Sequence, residues 1–391
     1  MEKETMRMKK IGLLGLTFTD PNKGCEALTY TFLNLLRKFC GDSPLEVVCF
    51  MRSDKLGKIP EFFPNFKFKS FVLNIYSPKS WLDVYNEIKT CDCVFDASYG
   101  DGFTGIYGTR RNFVQALRKQ LVVSAKKPLY LLPQTYGSYK FPFKRWSLDL
   151  IEKANLAYAR DEKTALSVGP SVKVTSDLAF GLPFDKSLFK MDSQKKKFGL
   201  NISSLIWDKE TVGRFMLSID YREFCRRLLD YLINSTDYEV HLISHVIDAE
   251  HPEAGENDYR VCQQLKKQYG DSVVLAPPFD NAIEAKSYIA NMDVFLGARM
   301  HSTIGAISAG VVTIPLSYTY KFEALYSAIN YNFILSATKE TTDSAIEKFK
   351  KWMGSLDVLR ERGKQSVELA KERLGQFEDD LKGNLHENGL I

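Results

Sequence analysis

The stretch 293–321, DVFLGARMHSTIGAISAGVVTIPLSYTYK, decides how this chain folds. Val294 to Leu296 is an unbroken apolar run, the pattern of a strand buried on both faces of a parallel sheet. A short polar turn follows, then a helix predicted to begin near Ser302, then a second apolar strand from Val311 to Leu316. Strand, helix and strand within thirty residues make a βαβ unit. Arg299 and His301 fall in the turn at the carboxyl end of the first strand, where open α/β sheets bind ligands. Ser302 or Thr303 is placed to cap the helix, whose free N–H groups favour an anion. Lys321 follows the second strand, on the same sheet edge if the two strands are parallel. A guanidinium, an imidazole, an ammonium and a helix N-terminus then converge on a small, multiply charged anion.

The same alternation runs outward from this unit in both directions. Toward the N-terminus, strands are predicted at Phe198 to Ile202, Val240 to Ser244 and Val273 to Leu275. Beyond a linker at Phe184 to Lys197 lies an earlier set: Ile11 to Leu16, Leu45 to Phe50, Cys93 to Asp96, Leu129 to Leu132, Leu156 to Ala159 and Val172 to Val174. Helical periodicity fills the intervals, as in Thr109 to Ser124, where Val114, Leu117 and Leu121 share a face. From Thr342 onward the pattern is helical and charged. A chain of 391 residues is long for one core and suits two. The reading is α/β, two doubly wound domains with a cleft between them. The domain bounds are 1–185 and 198–340, with C-terminal helices over 341–391.

Composition narrows the function classes. Hydrophobic residues make up 45% and charged residues 26%, as in a soluble globular protein. A net charge of +5 suits anionic ligands or an anionic membrane face and is far from a nucleic-acid signature. Seven scattered cysteines imply no disulfide framework. The polar start MEKETMRMKK precedes an apolar run too short for a signal sequence. No window approaches the ~20 apolar residues that span a bilayer. The expected location is cytoplasmic, with possible contact at the inner membrane face through YKFPFKRW (Tyr139 to Trp146), where aromatics alternate with Lys140, Lys144 and Arg145.

Further candidate site residues sit at predicted strand ends. Asn22, Gly24 and Glu26 occupy the loop after the first strand, where a glycine allows close backbone approach. DASYGDGFTGIYG (Asp96 to Gly108) lacks the spacing of a nucleotide-phosphate loop. Its glycines, acids and aromatics, Tyr99 and Asp101 among them, suit a sugar instead. Gln134 ends another strand in LLPQTYGSYK. Arg160 follows the next in ARDEKTAL, with Asp177 placed to orient it. His245 faces the predicted cleft at a strand end. His241, His245 and His251 lack the helical HxxxH arrangement of a metal site, so neither a metal nor a cofactor is expected.

RMHSTIGAISAG followed by SYTYKFEAL resembles the signature of the polysaccharide pyruvyl transferase family. NKGCEAL, LLPQTYGSYK, ARDEKTAL, SDLAF and GLNIS are similar in order, so the resemblance spans roughly Ile11 to Leu325. It departs at Ser98-Tyr99-Gly100-Asp101-Gly102, where many relatives carry three consecutive glycines. The resemblance implies two Rossmann-like domains in a GT-B-like arrangement, with the C-terminal helices partly returning to the first. It implies transfer of the enolpyruvyl group of phosphoenolpyruvate to a sugar as a cyclic ketal. The acceptor it implies is a lipid-linked precursor of a surface polysaccharide, bound by the N-terminal domain, with the donor on the C-terminal one.

On that reading Arg299, Lys321 and Arg160 clamp the donor's carboxylate and phosphate. Ser302 and the helix N–H groups assist, and His301 is the general acid. Asp101 or Glu26 is the base, the residues not choosing between them. Asn22, Gln134, Tyr99 and His245 complete the substrate contacts. Two rival readings are a GT-B glycosyltransferase using a nucleotide sugar and a non-catalytic saccharide-binding member of an assembly complex.

Overall fold

A computed structural model describes residues 8–51, 54–191, 194–253 and 256–391. It contains two compact units. The first comprises residues 1–19, 28–178 and 372–391; the second comprises 20–27 and 179–371. Residues 1–7 of the polar start and residues 192–193 of the expected linker lie outside the described residues.

The first unit is built on seven parallel strands: β1 (Lys9–Leu14), β2 (Leu45–Met51), β3 (Phe66–Val72), β4 (Cys93–Asp96), β5 (Leu129–Gln134), β6 (Leu156–Ala159) and β7 (Lys173–Val174). Their order across the sheet is β3-β2-β1-β4-β5-β6-β7. The second unit has six: β8 (Lys197–Asn201), β9 (Glu239–Ile243), β10 (Val273–Leu275), β11 (Val294–Gly297), β12 (Val312–Ser317) and β13 (Leu335–Ser336). Their order is β10-β9-β8-β11-β12-β13, and every pairing in both sheets is parallel. Two doubly wound α/β sheets are therefore present, as the alternating sequence predicts. Each order reverses direction once, between β1 and β4 and between β8 and β11. Parallel sheets of this kind hold ligands at such a reversal, outside the carboxyl ends of the strands.

The central strands are apolar throughout because both faces are covered. β4, β5, β8, β11 and β12 are buried along their whole length. In the second unit Phe198, Leu200, Leu242, Leu296 and Ile314 meet in one core with Phe224, Leu228 and Phe349 from the helices. Each such side chain contributes roughly 1.5–3 kcal/mol by leaving water. Helix starts follow local chemistry. Asp161 accepts from Thr164 N at 2.8 Å to cap Glu162–Val168, and Asn257 accepts from Tyr259 N to cap Asp258–Tyr269.

Two strands escape the sequence reading. β3, FKFKSFV, alternates apolar residues with lysines and is only partly buried, because it is the edge of its sheet. β13 is two residues long. The long helix Leu356–Glu387 passes from the second unit into the first at residue 372. There Arg373 O accepts from Thr175 Oγ1 and its guanidinium pairs with Glu162, while Asn384 accepts from Tyr130 OH. Among the described residues no helix is long and apolar enough to cross a membrane.

Candidate functional site

In the second unit the reversal point is closed by Asn201, the last residue of β8. It is fully buried; its Oδ1 accepts from Arg299 N and Ser302 Oγ, both at 2.9 Å, and its Nδ2 donates to Ile243 O. One side chain thus ties together the ends of β8, β9 and β11. Arg299 follows β11 and is 6% exposed. Its Nε and Nη2 donate to the two carboxylate oxygens of Asp258 at 3.0 and 2.7 Å, and its Nη1 to Glu256 at 2.9 Å. Burial opposes the charged guanidinium, but the field of Asp258 outweighs it, and the pKa of Arg299 is raised. The fork assigned to a ligand from sequence is therefore bidentate to Asp258. The physical reason is that a guanidinium at this depth requires a buried countercharge.

Asp258 does more than pair. It also accepts from Ser204 N and from the main-chain N–H groups of His245 and Val246, anchoring the turn after β9.

The helix after β11 begins at Met300, two residues earlier than expected, with Arg299 as its N-cap and no side-chain cap. Ser302 and Thr303 do not cap it. Their hydroxyls lie inside the helix and donate to the carbonyls of Arg299 and Met300. The next helix, Tyr320–Ala328, likewise has no side-chain cap at Thr319 and carries Lys321 in its first turn. β11 and β12 are parallel neighbours, so both helix N-termini lie at the same sheet edge. Two positive dipole ends, neither with a side-chain cap, add to His301 and Lys321 there.

The loop 20–27 completes this cluster. Asn22 forms an antiparallel bridge with Val246, and Lys23 N donates to His245 O at 3.0 Å. Asn22 Oδ1 accepts from Gly24 N, which turns the chain so that Gly24 lies flat against the His301 ring. A Cβ at Gly24 would stand 2.3 Å from His301 Nδ1, so any other residue forces the ring to move. Lys23 Nζ donates to Glu26 Oε1 at 3.3 Å and to the carbonyls of Asp20 and Asp280. Glu26 is 2% exposed; burial pushes its carboxyl up to about 7 despite Lys23, and its Oε2 has no hydrogen-bond partner among the described residues. His245 is 5% exposed, and neither ring nitrogen has such a partner. Burial, then the charges of His301, Arg299 and Lys23, hold its pKa well below the usual imidazole value, so it is neutral at neutral pH.

In the first unit the reversal point is a strained turn. Ser98 and Tyr99 both have left-handed backbone, with φ of 45° and 59°. Close packing with Gly15 imposes this: Tyr99 N donates to Gly15 O at 2.7 Å, and a Cβ on Gly15 would lie 2.3 Å from Ser98 N. Lys119 locks the turn from beneath, pairing with Asp96 and Ser98 Oγ, both at 2.8 Å, with no solvent exposure.

Asp101 accepts from Tyr107 OH at 2.7 Å. Gln134, expected to meet substrate, is fully buried and its Nε2 holds Asp96 O and Leu132 O instead. Arg160, expected in the donor clamp, belongs to this unit and is 3% exposed. It donates to Asp177 and Thr135 at 2.8 Å, the ion pair with Asp177 supplying the countercharge its burial demands.

Structure therefore groups Asn22, Glu26, His245, Arg299, His301 and Ser302 in one unit, and Tyr99, Asp101, Gln134 and Arg160 in the other. Asn201, Asp258 and Lys119 were missed as site residues. Asn201 could have been found as a polar residue ending an apolar strand, whereas Asp258 and Lys119 lie among polar neighbours that give no such signal. His241 is structural, held by Tyr288 OH and Glu239, and among the described residues no cluster of His, Cys, Asp or Glu could hold a metal ion.

Several proteins of known structure share this architecture. UDP-GlcNAc 2-epimerase from Neisseria meningitidis, bound to UDP-GlcNAc, is similar with a TM-score of 0.60 at 13% identity, over 96% of this chain and 100% of that one. MnaA of S. aureus with UDP gives 0.62 at 16%, over 98% of each chain. Alr3699/HepE of Anabaena with UDP and glucose gives 0.55 at 11%, over 97% and 100%. At such identities the likeness defines the fold class, that of GT-B enzymes. No curated protein matches the sequence. The family model for polysaccharide pyruvyl transferase matches residues 22–320, and the chain belongs to that family. It is accordingly a transferase, with pyruvyl transfer in polysaccharide biosynthesis as its general activity.

Proposed function

We propose that the chain transfers the enolpyruvyl unit of phosphoenolpyruvate to two hydroxyls of a saccharide as a cyclic ketal, with release of phosphate. The observation that carries this reading is the pair of uncapped helix N-termini after β11 and β12, one bearing His301 and the other Lys321. Two fixed positive ends with an added imidazole and ammonium suit a ligand with two anionic groups. Arg299 contributes its field and its Nη1, whose partner Glu256 is half exposed and can yield to a ligand carboxylate.

His301 donates a proton to the methylene carbon C3, which makes C2 electrophilic. A sugar hydroxyl attacks C2 and its proton passes to Glu26. The C2–O bond to phosphate breaks, and the departing phosphate takes that proton. The second hydroxyl then closes the ring on C2, returning a proton to His301. Holding both oxygens on one sugar makes closure intramolecular. Glu26 rather than Asp101 takes the base role, because a carboxyl titrating at about 7 with Oε2 unengaged suits proton transfer near neutral pH. Neutral His245 offers one donor and one acceptor to the same ligand.

The acceptor on this reading is a lipid-linked saccharide met at a membrane surface. Phe141, 90% exposed, stands beside exposed Lys140, and exposed Lys144 and Arg145 open the helix Lys144–Glu152 that follows.

The test is binding followed by turnover. Thermal shift with phosphoenolpyruvate should stabilise the protein, whereas UDP-GlcNAc should not; the reverse would favour a nucleotide-sugar glycosyltransferase, as the fold similarities allow. His301→Ala should lower acceptor-dependent phosphate release at least about a hundredfold while phosphoenolpyruvate still binds. Near-normal turnover of that variant would remove His301 from the acid role.

A further inference from the structure

The helix Thr109–Ser124 of the first unit carries Arg111, Gln115 and Arg118 at positions i, i+4 and i+7, which places them on one stripe of its surface. Each holds a polar atom with no hydrogen-bond partner among the described residues: Nε of Arg111, Oε1 of Gln115 and Nε of Arg118. Gln115 and Arg118 are each 1% exposed. Among the described residues the Arg118 side chain makes one hydrogen bond, from Nη1 to Tyr99 OH at 3.0 Å, and its guanidinium carbon lies 5.9 Å from the centre of the Tyr99 ring. That of Arg111 lies 4.3 Å from the Tyr107 ring centre.

Neither guanidinium forms an ion pair among the described residues, in contrast to Lys119, Arg160 and Arg299, which all have buried carboxylates. Removing a cation from water without a countercharge is costly, and stacking on a tyrosine offsets only part of that cost. Among the described residues no carboxylate supplies what is missing.

We propose that this stripe is a binding site for an oxyanion carried by a saccharide, a phosphate or a carboxylate, with Gln115 accepting from a sugar hydroxyl. Arg118 and Arg111 present forked donors to the anion, and the Tyr99 and Tyr107 rings flank them. The left-handed Ser98–Tyr99 turn, locked from below by Lys119, holds the Tyr99 ring and hydroxyl at Arg118. The proposal deepens the preceding reading by assigning the acceptor a negative charge, and it rests on the acceptor being a saccharide.

Calorimetric titration of the full chain with glucose 1-phosphate, glucuronate and methyl glucoside tests it. At least one charged sugar should bind about tenfold or more tightly than methyl glucoside, and the charged sugar preferred tells phosphate from carboxylate. Arg118→Gln should remove most of that preference, and half-buried Arg111→Gln should weaken it several-fold. Should Arg118→Gln fail to fold, Arg111→Gln and Arg118→Lys decide the matter.

Equal binding of charged and neutral sugars, no binding of either charged sugar, or unchanged affinity in the folded variants would overturn the site. Phosphoenolpyruvate titrated into the same wild-type sample reports separately. Its failure to bind would undo the donor reading and leave this site standing, and the converse holds equally.

Discussion

Glu26→Gln isolates the raised carboxyl of the second unit. Wild-type Glu26 is 2% exposed, and burial moves its carboxyl from 4.5 up to about 7. At about 1.4 kcal/mol per pH unit, the displacement corresponds to about 3 kcal/mol. The sign follows from which state holds the proton. Below pH 4.5 the folded and unfolded chains are both protonated and no penalty exists. Between 4.5 and about 7 the unfolded chain releases the proton while the folded chain keeps it, so stability falls as pH rises. Above about 7 both are ionised and the penalty is complete.

Glutamine cannot titrate, and it leaves Lys23 with its two carbonyl acceptors, so the absolute change in stability mixes two effects. The pH dependence of the difference does not. Urea unfolding of both proteins from pH 4.5 to 8 should show the variant gaining about 3 kcal/mol relative to wild type across that range. Other titrating groups cancel in the comparison. A difference constant to within about 0.5 kcal/mol would refute the elevated carboxyl and with it the base assignment. The wild-type kcat/KM should rise with pH up to about 7, and the variant should lack that limb.

Two further outcomes follow from the geometry. Gly24→Ala places a Cβ 2.3 Å from His301 Nδ1, so the ring must move. Urea unfolding should show a loss of about 1–3 kcal/mol, and turnover should fall with it; full activity would mean the loop does not position His301. Neutralising Lys140, Lys144 and Arg145 together, with Phe141→Ser, should cut co-sedimentation with phosphatidylserine vesicles by about a hundredfold, at about 1 kcal/mol per cation near the surface. Unchanged co-sedimentation would remove the membrane contact.

The placement of Arg299, His301 and Lys321 just after parallel strands was legible because that setting is local. An unbroken apolar run such as VFLG can satisfy its backbone only in a covered parallel strand, and the polar turn after it must lie at the strand's carboxyl end. The alternation of such runs with helical periodicity was enough for two parallel sheets. Where periodicity was ambiguous the reading failed: β3 hides its edge position behind alternating lysines, and β13 is too short to leave a pattern. The capping assigned to Ser302 failed for another reason. A hydroxyl inside the first turn can donate to a carbonyl as readily as accept from an N–H, and the nearby Asn201 Oδ1 and Arg299 O take its proton.

Tertiary structure alone decided partners. Asp258 is 41 residues from Arg299, and Gly24 is separated from His301 by most of the chain, so no local pattern couples them. Strand order sets the first contact, because β8 and β11 become neighbours only when the sheet reverses direction between them, and the Asn22–Val246 bridge sets the second. The same holds for charge. Composition counts an arginine identically wherever it lies, whereas burial compels Arg160 and Arg299 to find carboxylates within the fold and leaves Arg118 without one. Sequence by itself thus determined which elements form and which strand ends carry reactive groups, since those depend on neighbours along the chain. Which of those groups remain available for chemistry was a matter of desolvation, and desolvation is defined only once the chain has folded around them.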